Sequence, residues 1–299
     1  MELTSKYIKE AALEAGAAVC GIGTLNIFDG ENPQKDPKSI LPYATCIIGF
    51  GIPVPKGLYH SFDVGNQAFT YTSVGVKMIE EDYAEIFLFK MASIIEDCGY
   101  DACLQRSVPN LRIKGDKTTN PEVLDTYELI HAEAVAKDKA VPDVMIDFGK
   151  AAKTCGIGYE GKSGHIINEK YGPYMRYMFI VTDAPLECDP EYDKNFCDGC
   201  DKCIKACPGH AISENGLDTW QCAVYYKGAH RSNPFMTDDF LAGDPERDDI
   251  LDGKKRFDAE SARKVIKQMH FLPATKGYAA CLCGKSCDRA CYKHIKGEK

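Results

Sequence analysis

Apolar residues recur at helical spacing in several parts of the chain. Residues 4–15 carry one such stripe, with Thr4 placed to cap its start and Gly16 to end it. A longer stripe over residues 74–98 stops at Gly99. The same criteria predict further helices near residues 122–136, over 143–155, and from Asp258 to about Met269.

Shorter apolar runs alternate with these helices and have the length of strands. They are bounded by glycine, proline or polar residues, which predicts strands at 17–23, 44–50, 102–105, 164–168 and 174–182. Residues 109–121 are polar and interrupted by proline and glycine, so we expect a loop there. Because helices and strands interleave before residue 190, the pattern predicts an α+β fold with an α/β layer core.

The C-terminal third differs from this pattern. Residues 240–257 are acidic and irregular, and the segment after residue 188 has little apolar material of its own. We therefore predict two domains, 1–188 with an α/β core and 189–299 organised around bound metal clusters.

Charge and hydropathy exclude several classes of function. The net charge of −8 argues against a nucleic-acid surface, so we expect no nucleic-acid partner. No apolar run approaches the ~20 residues of a membrane-spanning helix, so we expect no membrane partner. The first residues show neither a secretory signal nor a twin-arginine pair, which favours the cytoplasm.

Fifteen cysteines indicate metal and redox chemistry rather than disulfides in a chain of this kind. Five of them fall in apolar runs and are interpreted as small buried hydrophobic residues: Cys20, Cys46, Cys98, Cys103 and Cys155. Exposed clusters of low potential would also favour an anaerobic cytoplasm.

Four cysteines follow one another at gaps of two, two and three residues, and a proline follows the last: Cys197, Cys200, Cys203, Cys207 and Pro208. This spacing is typical of [4Fe-4S] ligation in ferredoxins with two clusters. There the first three thiolates bind one cluster and the fourth binds the other. A zinc site is disfavoured, because structural zinc usually takes two separated ligand pairs.

A second set of cysteines supplies the remaining ligands. Reciprocal ligation assigns to cluster one Cys197, Cys200, Cys203 and Cys291. It assigns to cluster two Cys207, Cys222, Cys287 and either Cys283 or Cys281. We favour Cys283, because three residues separate it from Cys287 and Gly284 lets the backbone bend between them. Nine cysteines for eight positions leave one spare.

The segment before the first cysteine motif resembles a known superfamily. The run Gly156–Arg176 and the following Thr182–Leu186 are similar to the cobalamin-dependent iron–sulfur reductases, which include reductive dehalogenases and epoxyqueuosine reductases. Trp220–Tyr226 resembles the lone-cysteine segment of the epoxyqueuosine reductases, and Ala15–Gly23 resembles their opening turn. The resemblance covers about residues 145–225 and 278–293.

This resemblance implies a nitroreductase-like α/β core that carries a C-terminal ferredoxin-like module with two [4Fe-4S] clusters. A base-off cobalamin would receive electrons from the clusters and reduce a small-molecule substrate, or a corrinoid protein would be the partner. The electron donor would be a ferredoxin or flavodoxin. The resemblance places the corrinoid against Gly156, Gly158, Gly161, Gly164 and Thr182, although a helix end followed by a tight turn would also explain the glycines.

Three residues are candidates for catalysis. The resemblance implies that Arg176 lines the substrate pocket and stabilises a developing anion, with Tyr174 or Tyr127 as proton donor. Alternatively, Arg176 pairs with a carboxylate such as Asp183. His131 and Tyr177 are further proton donors that spacing does not exclude.

The chain also departs from the superfamily. Tyr292 stands where a proline usually follows the last cysteine, and the segment with the catalytic aspartate of epoxyqueuosine reductases is not found. A tRNA substrate is therefore not expected. The alternative function is that of a non-catalytic iron–sulfur protein that reduces a partner's corrinoid or metal centre.

Basic residues flank the cluster cysteines, at Lys202, Lys205, Lys285, Arg289 and Lys293. Positive charge beside a cluster favours its reduced state and raises its potential. The same residues could dock an acidic electron donor, or simply form solvated helix faces.

Overall fold

The computed structural model describes residues 2–63, 71–106, 111–114, 128–131, 140, 144–269 and 281–298. The chain forms two compact units that interleave along the sequence. The first comprises Met1–Ile52, Tyr83–Gly158 and Tyr177–Asp193; the second comprises Pro53–Asp82, Tyr159–Arg176 and Lys194–Lys299. The predicted domain boundary at residues 188 and 189 stays a prediction.

The first unit is built on a four-stranded sheet. Its strands lie in the spatial order Val19–Thr24, Cys46–Pro53, Met175–Thr182 and Ala102–Gln105. The first two strands pair antiparallel, and so do the last two. All four coincide with predicted strands to within three residues at each end.

Helices pack on this sheet as the periodicity predicts. They are Ser5–Glu14, Ala84–Glu96 and Phe148–Thr154, with short 3-10 turns at Asn26–Phe28 and Pro37–Ser39. The Thr4 hydroxyl caps the first helix by accepting a hydrogen bond from the Tyr7 N–H. Gly21 permits the C-terminal end of the helix Phe148–Thr154 to approach the sheet closely, since a Cβ at residue 21 would lie 1.9 Å from the Cys155 carbonyl oxygen.

Two predictions were wrong between residues 109 and 136. Where a loop and a helix were expected, the structure has the antiparallel strands Leu111–Lys114 and Glu128–His131. The sequence Leu-Arg-Ile-Lys at 111–114 alternates apolar and polar residues, and this period of two belongs to a strand. The candidate Tyr127 lies outside the described residues.

The structure divides the helix predicted over residues 74–98 into two helical forms. It begins as the π-helical segment Tyr71–Tyr83 and continues as the α-helix Ala84–Glu96. Apolar spacing does not separate these two forms over a few turns, because their periods differ by less than one residue.

The second unit consists of short elements around the cysteines. Its α-helices are Lys56–Asp63, Lys202–Ala206, Thr219–Tyr226, Arg247–Leu251, Ala259–Ile266 and Ser286–Lys296. Its strands form two small hairpins, Tyr159–Glu160 with Ile166–Ile167 and Ile212–Ser213 with Gly216–Leu217.

The second unit has a hydrophobic core, contrary to the expectation that metal clusters would replace one. Ten buried residues form it: Val224, Tyr225, Ala229, Phe240, Leu241, Ile250, Leu251, Phe257, Ala262 and Val265. The apolar residues are spread thinly over some forty positions, so no single run of sequence predicts the core. The predicted helix start is confirmed, because Asp258 caps Ala259–Ile266 in a reciprocal arrangement with Ser261.

Within the part of the chain that the structure describes, every helix is too short or too polar to traverse a lipid bilayer.

Candidate iron–sulfur centres

The first cysteine motif and the last helix come together in the second unit. Cys203 lies on the helix Lys202–Ala206, which packs against the helix Ser286–Lys296 that carries Cys291. Burial raises the pKa of Cys291, and Asp288 and the thiols of Cys197, Cys203 and Cys200 add to that rise. The four residues assigned to cluster one are therefore neighbours in space.

The four residues assigned to cluster two surround one small cavity. This cavity has a volume of about 60 Å³, and its walls include Cys207, Cys222, Cys283 and Cys287. The remaining cysteine, Cys281, is not among the lining residues, although its Sγ lies 3.4 Å from the Sγ of Cys283. The structure therefore groups Cys283 rather than Cys281 with the other three.

The donor sets fit [4Fe-4S] clusters. Each set offers four thiols, the ligand that such clusters take, and the Ala211 N–H donates a hydrogen bond to the Cys207 Sγ at 3.3 Å. Burial raises the pKa of Cys222 to about 11, the neighbouring Cys283 adds to the rise, and the Lys285 ammonium opposes it. Cluster binding must therefore displace protons from these thiols.

The hairpin Tyr159–Ile167 contacts the first cysteine motif. The Tyr159 hydroxyl accepts a hydrogen bond from the Phe196 N–H at 2.7 Å. A Cβ on Gly161 would lie 3.2 Å from the Sγ of Cys197, and the Lys162 Nζ donates to the Cys200 carbonyl oxygen at 3.0 Å. The glycine-rich segment thus forms a wall of the cluster-one site.

The other positions predicted to hold a corrinoid also contact protein. Gly156 has a φ of +68° where the helix Phe148–Thr154 ends, and a Cβ there would lie 2.5 Å from the Pro190 carbonyl oxygen. Gly164, with a φ of +72°, faces the Leu217 side chain. Gly158 and Thr182 are buried, and the Thr182 hydroxyl accepts a hydrogen bond from the Ala184 N–H. At these positions the described residues form no open cradle for a corrinoid.

The two described catalytic candidates are buried. Arg176 donates a hydrogen bond to the Tyr71 hydroxyl at 3.0 Å, and its Nε lies 3.5 Å from the Glu80 carboxylate. The carboxylate that pairs with Arg176 is therefore Glu80 and not Asp183, the partner suggested by the alternative interpretation. Tyr174 stacks on Tyr59 with ring centroids 4.0 Å apart. Arg176 is 7% exposed and Tyr174 is 2% exposed, so their contact with a substrate stays a prediction.

Sequence reasoning missed a partly buried polar cluster formed by His165, Lys285 and Asp288. The Lys285 Nζ donates to the His165 Nε2 at 3.1 Å, and the His165 Nδ1 lies 2.9 Å from the Asp288 carboxylate. The Lys285 Nζ lies 3.6 Å from the same carboxylate, whose side chain is fully buried. No signal links His165 to the other two, since 120 residues separate it from Lys285.

Burial and neighbouring charges together set the protonation states of His165 and Asp288. Burial alone would raise the pKa of Asp288, but His165 and Lys285 hold it well below its usual range. Burial lowers the pKa of His165, which favours a neutral imidazole. Ligand atoms of His165, Cys287 and Asp288 lie within 4.8 Å of one another, yet the adjacent Lys285 ammonium opposes a separate metal cation there.

The cysteine geometry and sequence comparison define the class of protein. A family described as a 4Fe-4S binding domain matches residues 190–213, so the chain contains such a domain. Among curated proteins, it is 33% identical over 230 residues to the epoxyqueuosine reductase of Listeria monocytogenes, a match that covers 73% of this chain and 49% of that protein. The chain spans about half or less of the length of the curated relatives it matches.

Solved structures agree on the fold. A catabolic reductive dehalogenase matches 92% of this chain and 39% of its own, with 17% identity and a TM-score of 0.52. These relatives confirm the resemblance to the superfamily of epoxyqueuosine reductases and reductive dehalogenases. The predicted class, an oxidoreductase, is the class that their names describe.

One prediction about partners is contradicted. Among the structural matches is an epoxyqueuosine reductase solved with an epoxyqueuosine-modified stem loop of tRNA-Tyr, at 17% identity and a TM-score of 0.47, covering 90% of this chain and 67% of its own. The curated relatives are named for epoxyqueuosine, a modified nucleoside, so the prediction of no nucleic-acid partner was wrong. It rested on the missing catalytic-aspartate segment and on net charge, and net charge is a sum over the whole surface that does not exclude a local nucleic-acid contact.

Proposed function

We propose that the chain is an iron–sulfur oxidoreductase of the epoxyqueuosine reductase type, in which two [4Fe-4S] clusters carry electrons to the substrate. The observation that carries this proposal is the grouping of eight cysteines into two spatial sets within one compact unit. Two one-electron centres in one chain can together hold the two electrons that a two-electron reduction consumes.

The proposed ligands of cluster one are Cys197, Cys200, Cys203 and Cys291, and those of cluster two are Cys207, Cys222, Cys283 and Cys287. The packing of Lys202–Ala206 against Ser286–Lys296 supports the exchange of one ligand between the motifs. The ferredoxin-like module, and a nitroreductase-like form for the α/β core, belong to the same proposal.

The proposed substrate is epoxyqueuosine, free or carried in tRNA. It is supported by the names of the curated relatives, of which the Listeria protein aligns with 73% of this chain. A ferredoxin or flavodoxin would supply electrons. The predicted cytoplasmic location stays a prediction.

A corrinoid forms part of the proposal through the superfamily resemblance alone. The residues predicted to contact it, Gly156, Gly158, Gly161, Gly164 and Thr182, contact other protein atoms or are buried. We therefore derive no catalytic step through it. Adding hydroxocobalamin to protein with both clusters, and recording the visible spectrum, tests binding directly: a base-off spectrum at micromolar concentration supports it, and an unchanged spectrum removes the corrinoid.

A second function, that of a non-catalytic electron carrier, is favoured by a different observation. Arg176 and Tyr174, the described candidates for substrate chemistry, are enclosed by Tyr71, Glu80 and Tyr59. A carrier needs the clusters but no residue that touches a substrate.

The two functions are separated by turnover. Protein reconstituted anaerobically and reduced with dithionite is mixed with epoxyqueuosine-containing tRNA, and the modified nucleoside is measured by mass spectrometry. Conversion that Cys287→Ala abolishes and Cys98→Ala retains supports the enzyme, because Cys98 lies outside both ligand sets. Reduced clusters with no conversion, but with electron transfer to an added corrinoid protein, support the carrier.

A further inference from the structure

Charged side chains are distributed unequally around the two cysteine sets. Lys285 lines the cavity bounded by Cys207, Cys222, Cys283 and Cys287, and its side chain is 12% exposed. Its ammonium lies close enough to act electrostatically on Cys222, Cys283 and Cys287. Cluster two therefore has a buried positive charge at its wall.

The charge of Asp288 acts on cysteines of both proposed clusters. Asp288 follows Cys287 on the helix Ser286–Lys296, its Oδ1 lies 3.8 Å from the Cys287 Sγ, and its charge acts on Cys291 as well. A residue on this helix turn therefore faces ligands of both proposed clusters. Its negative charge disfavours electron uptake by either one.

We propose that Lys285 and Asp288 form a buried ion pair that separates the reduction potentials of the two clusters, with cluster two the higher. Positive charge stabilises the more negative, reduced form of a cluster, and negative charge destabilises it. Lys285 offsets Asp288 at three of the cysteines assigned to cluster two, Cys222, Cys283 and Cys287. An electron that enters at cluster one consequently settles on cluster two. The inference rests on the proposed presence of both clusters.

Burial gives this pair its strength. The Asp288 side chain has no solvent exposure, so water screens it little, and the interaction between charges rises as the effective dielectric constant falls. His165 lies between the two charges, with its ring nitrogens 3.1 Å from the Lys285 Nζ and 2.9 Å from the Asp288 carboxylate. Lys285 itself adopts a left-handed backbone, with a φ of 47°, a region that a residue with a side chain occupies at a conformational cost.

One cation near cluster one, Lys162, has a different ion-pair partner. Lys162, whose side chain is 18% exposed, donates to the Cys200 carbonyl oxygen and pairs with Glu214, whose side chain is 67% exposed. Solvent reaches this pair and weakens its field. Lys162 is therefore expected to influence cluster one less than Lys285 influences cluster two.

The test is a redox titration of the reconstituted holoprotein followed by paramagnetic resonance, which reads each cluster separately. Lys285→Met should lower the equilibrium constant for one-electron reduction of cluster two at least tenfold, a shift of about 59 mV, and leave cluster one unchanged. Lys285→Arg should retain the wild-type value. Asp288→Asn should raise both potentials.

Opposite shifts in Lys285→Met and Asp288→Asn distinguish electrostatics from damage to the fold, because damage gives no reason for a sign change. Lys202→Met, at an exposed lysine next to Cys203, is the matched control and should shift neither cluster. If Lys285→Met loses its iron, Lys285→Arg and Asp288→Asn still decide the question. Potentials that do not respond to Asp288→Asn, or that move together in Lys285→Met, overturn the inference. Wild-type protein with about four irons instead of about eight defeats the two-cluster proposal itself.

Discussion

Gly161 lies so close to Cys197, a proposed ligand of cluster one, that any side chain at residue 161 would press on its sulfur. A Cβ would be 3.2 Å from the Cys197 Sγ and 2.3 Å from the Ile167 Cδ1. Gly161→Val should therefore displace Cys197 and lower the occupancy of cluster one, while cluster two survives. Gly57→Ala is the control, because a Cβ at Gly57 meets no atom within 4 Å. Iron content and paramagnetic resonance measure the effect, and two intact clusters in Gly161→Val would contradict it.

The remote ligand of cluster one gives a second prediction. Cys291→Ala should damage the cluster held by Cys197, Cys200 and Cys203, since the helices that carry Cys203 and Cys291 pack together. The resonance of cluster two should persist. Loss of cluster two alone would show that the ligand exchange between the motifs has been assigned wrongly.

Cys281 and Cys283 should behave differently despite their separation by one residue. Cys283→Ser should lose cluster two, because Cys283 lines the cavity with Cys207, Cys222 and Cys287. Cys281→Ser should keep an iron content near that of the wild type. The reverse pattern in anaerobic iron analysis would transfer the ligand role to Cys281.

The capping carboxylate of Asp258 predicts a pH dependence of stability. The hydrogen bond from the Ser261 side chain, and then that from its backbone N–H, lower the pKa of Asp258 in the folded protein. Its contribution is therefore complete above the unfolded pKa of about 3.9 and is lost as pH falls through the lower folded value.

Asp258→Ala should lower the melting temperature at neutral pH, since alanine cannot accept the capping hydrogen bonds. Asp258→Asn should keep most of the stability, because asparagine also caps helices, while removing the acid dependence of the cap. Circular dichroism melts of the holoprotein at pH 7 and below pH 4 compare the three proteins. Equal acid sensitivity in wild type and Asp258→Asn would rule out this role for the carboxylate.

Features that depend on local spacing were predictable from the sequence. The cysteine motif at 197–207, the helix caps at Thr4 and Asp258, and the strands of the four-stranded sheet all follow from neighbours within a few residues. The preference for Cys283 also arose locally, from its distance to Cys287.

Features that depend on distant contacts were not predictable. Lys285 lies near His165, and Gly161 contacts Cys197, although the partners are far apart in sequence. No local sequence pattern indicates either contact. A glycine allows close approach of a flat cofactor and of a cysteine side chain alike. The glycines alone therefore could not show whether a corrinoid or Cys197 lies against the segment. The core around Tyr225 escaped for a similar reason, because its members are scattered singly through polar sequence.

The helix Ser286–Lys296 carries one proposed ligand for each cluster, Cys287 and Cys291. A nascent chain that still lacks this helix has three thiols for cluster one and at most three for cluster two. On this assignment cluster two cannot be completed on the ribosome before residue 287 emerges, and cluster one cannot be completed before residue 291 emerges. Biogenesis must therefore deliver iron after translation of this region, and premature termination upstream would release a protein defective in both centres at once.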